Sequence, residues 1–275
     1  MKRITCVVDN KVQLSSSLQG EHGVSFWIET DHSGVLFDTG MSGSVLMHNL
    51  RVLGIDPQEM GGIVLSHAHH DHTGGLSNLL SEKPGTPLYA NPDLFRPRYS
   101  IRNRNYKFIG LSMTEDELNQ LAELHLDDRP VEIVPGLWTS GEIYERSEPE
   151  GRGAQHVVPA DDGWMPDPYQ DDMSMVMDTQ DGLVLICGCC HAGLLNTMAH
   201  VTRTFQRPII TVLGGTHLVT ADEPYLMHVV KKLQDSYDLQ YYYLNHCTGE
   251  HAYLALAKAF RDQVKPCPAG TIINF

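Results

Sequence analysis

Residues 63–75 read Ile63-Val64-Leu65-Ser66-His67-Ala68-His69-His70-Asp71-His72-Thr73-Gly74-Gly75. Apolar, β-prone residues run into a cluster of imidazoles and a carboxylate, and Thr-Gly-Gly then hands the chain to an apolar, helix-like segment, 76–80. The reading is strand, metal loop, helix. If strand geometry persists through His67 and His69, side chains two apart project to the same side, so both imidazoles reach one cation. Asp71 and His72 fall beyond the strand end and turn toward a neighbouring point, where a second cation fits. Asp71, a hard oxygen ligand beside nitrogen ligands, suits a site that holds and orients a water rather than a closed structural site. A solvated polar loop is the plain alternative, but His-x-His-x-Asp-His directly after an apolar strand is a specific pattern.

His67-x-His69-x-Asp71-His72 followed by Thr73-Gly74-Gly75 resembles the signature of the metallo-β-lactamase-fold hydrolases. The resemblance implies an α/β chain folded as a four-layer αββα sandwich, with one or two metals at the rim between its sheets. In that fold a strand ending in Asp-Thr-Gly lies beside the metal loop, and its Asp supports a ligand from behind. Phe37-Asp38-Thr39-Gly40 is such a strand end, which makes Asp38 the candidate, because a metal-bound imidazole usually donates its other N–H to a carboxylate or carbonyl. A turn or helix-cap role is the plain alternative for Asp38.

At 275 residues the chain can bury a substantial core and lies near the upper end for one domain, so one domain over 1–275 with an embellishment is expected. Apolar residues at 41% and charged residues at 20% describe an ordinary folded protein. No apolar run approaches the roughly 20 residues of a membrane helix, and the opening Met-Lys-Arg-Ile-Thr-Cys-Val-Val-Asp is too short for a signal peptide. A cytoplasmic protein without a membrane partner is expected. A formal charge of −14 argues against general nucleic-acid binding, which needs clustered Lys and Arg. Six cysteines, with Cys187, Cys189 and Cys190 closely spaced, do not resemble a disulfide framework at this length, so reduced thiols are expected. Assembly as a homo-oligomer is compatible with all of this.

Along the chain, 4–8, 24–29 and 34–37 read as strands, and 44–53 has helical spacing with Val45, Leu46, Leu50 and Leu53 on one face. Thr114-Glu115-Asp116-Glu117 has the form of a capping box. The stretch 91–110 reverses the sign of the chain with Arg96, Arg98, Arg102, Arg104 and Lys107, and 147–170 is rich in Gly, Pro and Asp without a period, which reads as a long loop. About 91–172 is therefore expected to be a cap and long-loop insertion in which Arg102, Arg104 and Tyr106 meet a small anionic substrate. A solvated basic face is the plain alternative. The second half alternates strands (173–178, 182–186, 208–213, 239–244) with helices (194–205, 224–233).

The first motif supplies at most four ligands, whereas two catalytic metals need about six or seven. His191, His217 and His246 occupy later strand ends. Gly188-Cys189-Cys190-His191-Ala192-Gly193, Gly214-Gly215-Thr216-His217-Leu218 and His246-Cys247-Thr248-Gly249 extend the resemblance to one branch, the dihydropterin-ribofuranosylaminobenzene-phosphate synthases, over essentially the whole chain. In that branch Gly-Cys-x-His-x-Gly replaces the more usual Gly-Asp strand end, so either Cys189 or His191 approaches the metals. His191 is favoured, because a neutral imidazole completes a nitrogen-rich site without a thiolate cage. His246 is favoured over His251, which falls on the helix beyond Thr248. His217 departs from the common ligand set, and contacts substrate, protonates a leaving group or simply packs.

The expected activity is a metal-dependent hydrolase. Two divalent ions, Zn2+ first with Mn2+ or Fe2+ as alternatives, are held by His67, His69 and His191 and by Asp71, His72 and His246. A metal-bound hydroxide then attacks an ester, phosphoester or lactone, with Asp71 and His217 as catalytic side chains. The alternatives are synthase-type chemistry on a pterin-linked ribofuranosylaminobenzene phosphate and a metal-binding sensor or redox module.

Overall fold

In the strand Gly34–Phe37, Val35 and Phe37 face one core while Leu36 faces another, and in Leu183–Cys187 the side chains of Val184 and Ile186 part in the same way from Leu183, Leu185 and Cys187. This period-two sorting stacks the molecule. The computed structural model describes residues 2–153 and 155–275. One seven-stranded sheet runs Ile272–Asn274, Arg3–Val8, Ser25–Glu29, Gly34–Phe37, Met60–Val64, Thr86–Ala90 and Ala122–Leu126. The other, also seven-stranded, runs Val264–Pro266, Tyr241–Leu244, Ile209–Gly214, Leu183–Cys187, Met175–Asp178, Leu137–Thr139 and Glu132–Val134.

Ile4, Phe26, Val35, Phe37 and Val64 of the first sheet meet Met175, Met177, Val184, Ile186 and Leu213 of the second in the middle core. On the outer face of the first sheet lie the helices Gly43–Leu53, Leu76–Glu82 and Glu115–Leu121, and on that of the second Leu194–Phe205, Glu223–Ser236 and Glu250–Phe260. The architecture is the αββα sandwich that the resemblance implies. Gly34–Phe37 runs parallel to Met60–Val64, and Leu183–Cys187, Ile209–Gly214 and Tyr241–Leu244 are mutually parallel. Successive strand ends thus carry their loops to a common rim, as ligand-bearing loops do in parallel sheets. No helix among the described residues is long and apolar enough to cross a membrane. All six cysteines are free and buried.

Two readings need correction. The stretch 147–170 is not wholly irregular: His156–Ala160 and Gly163–Pro166 form a hairpin that joins Tyr99–Arg102 and Asn105–Phe108 in a separate four-stranded sheet. Pro159, Pro166 and the Asp161-Asp162-Gly163 turn hid its alternation, and its exposed faces gave no apolar period.

Nor is the basic run one solvated or substrate-facing surface. The Arg98 side chain is fully buried, with Asp93 at 2.8 Å, Asp171 at 2.7 Å and Asp167 at 3.1 Å. Arg96 also turns to Asp93, at 2.7 Å. One guanidinium thus serves three carboxylates. Burial pushes the Asp171 carboxyl up to about 7, with Arg98 pulling it down and Asp167 pushing it further up. Arg98 joins the small sheet to the sandwich through these pairs. Arg98→Met should therefore destabilise the fold by about 3–5 kcal/mol in denaturant unfolding, since it strands buried carboxylates; a loss below about 1 kcal/mol would show that the cluster is dispensable.

Candidate metal centre

The strand Met60–Val64 ends before the ligand motif, so the expected strand geometry at His67 and His69 is not what brings them together. His69, extended at φ −60° and ψ 140°, precedes the one-turn helix His70–Thr73, and the bend leaves the His67 and His69 ring centroids 4.6 Å apart. His70 turns away toward the Ile109 carbonyl. Asp71 and His72 turn inward from the same helical turn, with Asp71 Oδ2 3.7 Å from His72 Nε2.

The second half delivers the rest. The loop after Leu183–Cys187 places the His191 ring 4.8 Å from His67 and 5.0 Å from His69. The loop after Tyr241–Leu244 places His246 Nε2 3.6 Å from Asp71 Oδ2. Cys189 and His191 both arrive. The ligand atoms of His67, Cys189 and His191 lie within 4.8 Å of one another, as do those of His72, Cys189 and His246, so the thiol stands between two groups. A third group is His22, Asp71 and His246. A Cβ on Gly188 would fall 2.3 Å from Ser66 Oγ and 2.9 Å from Asp38 Oδ2. Only glycine lets the two halves close here.

Four of the imidazoles, His67, His72, His191 and His246, are held from behind. Ser66 donates its N–H and its hydroxyl to Asp38 at 2.7 Å each, accepts from His67 Nδ1 at 2.8 Å, and leaves Asp38 Oδ2 to accept from His72 Nδ1 at 2.6 Å. His191 Nδ1 donates to the Gly151 carbonyl at 2.9 Å and His246 Nδ1 to Asn10 Oδ1 at 3.1 Å. Asp38 thus accepts from His72 directly and braces His67 through Ser66. Asp9 accepts the His246 backbone N–H at 2.9 Å.

Burial drives His67, His69, His191 and His246 well below the usual imidazole range, so they enter as neutral rings. His72 behaves otherwise: burial opposes its charge, but Asp38 and Asp71 outweigh it and lift the ring to about 9. Nε2 of His67, His69 and His191 is buried without a hydrogen-bond partner. Such orphaned lone pairs are costly unless something takes them up. A cation would do so, and the nitrogen, oxygen and sulfur donors gathered here fit a divalent transition metal.

Around this cluster lie groups the sequence did not flag. Tyr169 stacks on His191 at 4.1 Å and its hydroxyl meets His156 Nδ1 at 2.5 Å, while the His156 ring lies 5.0 Å from His69. Asp171 accepts the Ala68 N–H and Asp172 the Ala192 N–H, each at 2.8 Å, which fixes both ligand loops. His22 Nε2 lies 3.2 Å from Asp71 Oδ2. His22 is an isolated histidine outside any regular element and His156 opens a strand without an apolar period, so neither carried a pattern. Asp9, by contrast, ends an apolar strand as Asp38 does, a signal that could have found it.

His217 stands 4.3 Å from the His191 ring; burial lowers it to about 4, and its Nδ1 has no partner. Arg102 donates to Gln155 at 2.9 Å, next to His156. Arg104 sits at the exposed hairpin turn, and Tyr106 stacks on Trp164 at 4.6 Å.

A family profile described as the metallo-beta-lactamase superfamily matches residues 18–189. The chain belongs to this superfamily. It is 27% identical, over 99% of its own length and 96% of the other, to the 7,8-dihydropterin-6-methyl-4-(beta-D-ribofuranosyl)-aminobenzene-5'-phosphate synthase of Methanocaldococcus jannaschii. Among solved structures, Tm1679, described as a metal-dependent hydrolase of the beta-lactamase superfamily, matches with TM-score 0.85 and 26% identity over 100% of this chain and 99% of that one. Zn(2+)-bound PqqB from Methylobacterium extorquens matches with TM-score 0.60 and 10% identity over 99% and 100%, a likeness of fold alone.

The raised His72 gives a prediction with a sign. In the metal-stripped protein its ion pair with Asp38 contributes stability that is complete below about 6.5 and is lost as pH rises through about 9. A metal must displace that proton, so Zn2+ affinity measured by chelator competition should climb from pH 6.5 and level off near 9. In Asp38→Asn the plateau should arrive at lower pH; an unmoved plateau would remove Asp38 as its cause.

Proposed function

We propose that the chain is a metal-dependent hydrolase of an ester, phosphoester or lactone in a small anionic substrate. The observation that carries this reading is the set of buried, unpartnered Nε2 atoms of His67, His69 and His191 beside Asp71, His72, His246 and Cys189. His67, His69 and His191 would hold one ion and Asp71, His72 and His246 a second. Cys189 stands between them as a shared or alternative ligand. Zn2+ suits imidazole with a nearby thiol, with Mn2+ and Fe2+ as alternatives. Such ions supply Lewis acidity and a nucleophile at neutral pH.

The chain's own residues do the positioning. Ser66, Asp38, Gly151 and Asn10 fix the ring orientations, so little reorganisation accompanies binding. Asp71, steadied by His22, keeps its carboxylate directed at the reacting centre. Burial keeps His217 neutral near pH 7, which favours a hydrogen bond to substrate over proton donation. We assign the four-stranded sheet of residues 99–108 and 156–166 the role of a cap, with Arg102 and Arg104 drawing in the anionic end and Tyr106 forming part of its aromatic face. The formal charge of −14 argues against a general nucleic-acid role.

The second reading is synthase-type chemistry, favoured by the match to the Methanocaldococcus jannaschii enzyme along nearly the whole chain. Fold kinship leaves the substrate open. Assay of the metal-loaded protein against phosphodiester, carboxylic ester and lactone panels, beside a dihydropterin whose 6-methyl carbon carries a leaving group together with a ribofuranosylaminobenzene 5'-phosphate, separates the two. Hydrolysis is expected, lost together with bound metal in His246→Ala. In the Arg102→Ala, Arg104→Ala double variant metal content should hold while KM for an anionic substrate rises severalfold, less so at high salt. A condensed product without hydrolysis would decide for the synthase.

A further inference from the structure

Glu21-His22-Gly23 lies in the loop between Arg3–Val8 and Ser25–Glu29, outside every motif that marked the site in the sequence. Its flanks are built to hold it in one place. Glu21 accepts the backbone N–H groups of Met41 at 3.1 Å and Ser42 at 2.8 Å, and the Ser42 hydroxyl at 2.6 Å. Gly23 has φ +141°, and a Cβ there would fall 2.4 Å from the Asp71 carbonyl oxygen, so only glycine lets this loop lie directly on the ligand turn. The Gly23 N–H donates at 3.3 Å to Asn10 Oδ1, the oxygen that also holds His246 Nδ1. One side chain thus sets the His22 loop and His246 together.

The ring so held points at the ligand cluster. His22 Nε2 lies 3.2 Å from Asp71 Oδ2, and the same oxygen has His246 Nε2 at 3.6 Å and His72 Nε2 at 3.7 Å. These separations are long for imidazole–carboxylate hydrogen bonds; between His72 Nδ1 and Asp38, where the structure makes one, the distance is 2.6 Å. They match instead the edges of a coordination shell, since two ligands each about 2.0–2.1 Å from a tetrahedral ion lie about 3.4 Å apart. The donor atoms of His22, Asp71 and His246 all fall within 4.8 Å of one another. His22 is exposed where Asp71 and His72 are buried, so it reaches Asp71 from the solvent side.

We propose that His22 Nε2 is a direct ligand of the second ion, beside Asp71, His72 and His246. Asp71 and His22 then share a cation rather than a proton. The second site gains a fourth nitrogen or oxygen donor from the protein, whereas the first has the three imidazoles of His67, His69 and His191. With Cys189 shared between them, the first ion stays the less filled and the more open to substrate. The assignment rests on the two-ion reading of the site and is independent of the hydrolase chemistry.

The test uses the full chain, stripped and reloaded with Zn2+, beside His22→Ala and His22→Gln. The glutamine amide can still donate to Asp71 but is a poor ligand for this ion. By chelator competition the wild type should take two ions, and both variants should keep the first while holding the second about 100-fold or more weakly, beyond the roughly 10–100-fold that loss of a supporting partner costs. Recovery of the second ion in His22→Gln would make His22 a prop for Asp71 and overturn the proposal, as would wild-type affinity in His22→Ala. In the cadmium-loaded chain, NMR should show the metal coupled to the His22 ring, a signal identified by its loss in His22→Gln. Coupling to His246 without coupling to His22 overturns the proposal as well. A wild type that takes a single ion rejects the two-ion reading, and the His22 assignment with it.

Discussion

The Asp38 carboxylate is fully buried, and its two oxygens take the Ser66 N–H, the Ser66 hydroxyl and His72 Nδ1. This interaction fixes the end of one central strand against the start of the ligand loop, and through Ser66 it also sets the tautomer of His67. Gly188 lets the second half close onto the same spot. Without that clamp His72 would lose the charge that holds its proton, and the loop would lose its register against the sheet. The backbone shows what the arrangement costs: Asp38, Tyr169, Cys190, His217 and His246 all have positive φ, between 47° and 59°. Non-glycine residues in that region cost of order 1 kcal/mol each and gather where a constellation is over-determined by its surroundings.

Individual strands were legible because period two is a local property, while their stacking into layers was implied by the family resemblance. Val35, Leu36 and Phe37 declare their faces without reference to any distant residue, and the Thr114 capping box and the helix Leu194–Phe205 follow from signals within a few positions. The first ligand motif was legible for the same reason. That His191 and His246 come to lie beside it was foreshadowed by their places after strand ends, a rule about topology rather than contact. Cys189 against His191 was posed as a choice, and the structure brings both to the cluster because the loop following Cys187 curls through Cys190 at φ 57°.

What escaped was whatever depends on partners far along the chain. Arg98 looked like part of a basic surface because its partners Asp167 and Asp171 lie about seventy residues away, in a stretch without a period. Tyr169 and His156 are assigned to the site only once the small sheet folds back over His69 and His191. The same stretch, 167–172, pairs with Arg98, stacks on one ligand and anchors both ligand loops through backbone N–H groups. Stability and site geometry are therefore coupled at this loop.

The central claim is that residues from both halves of the sandwich hold metal at one rim. Anomalous diffraction from crystals of the metal-loaded protein, collected above and below the zinc edge, tests it most directly. The account predicts two peaks, one against His67, His69 and His191 and one against Asp71, His72 and His246, with Cys189 Sγ between them. A single peak bounded only by residues of the first motif, or peaks away from these side chains, would contradict it.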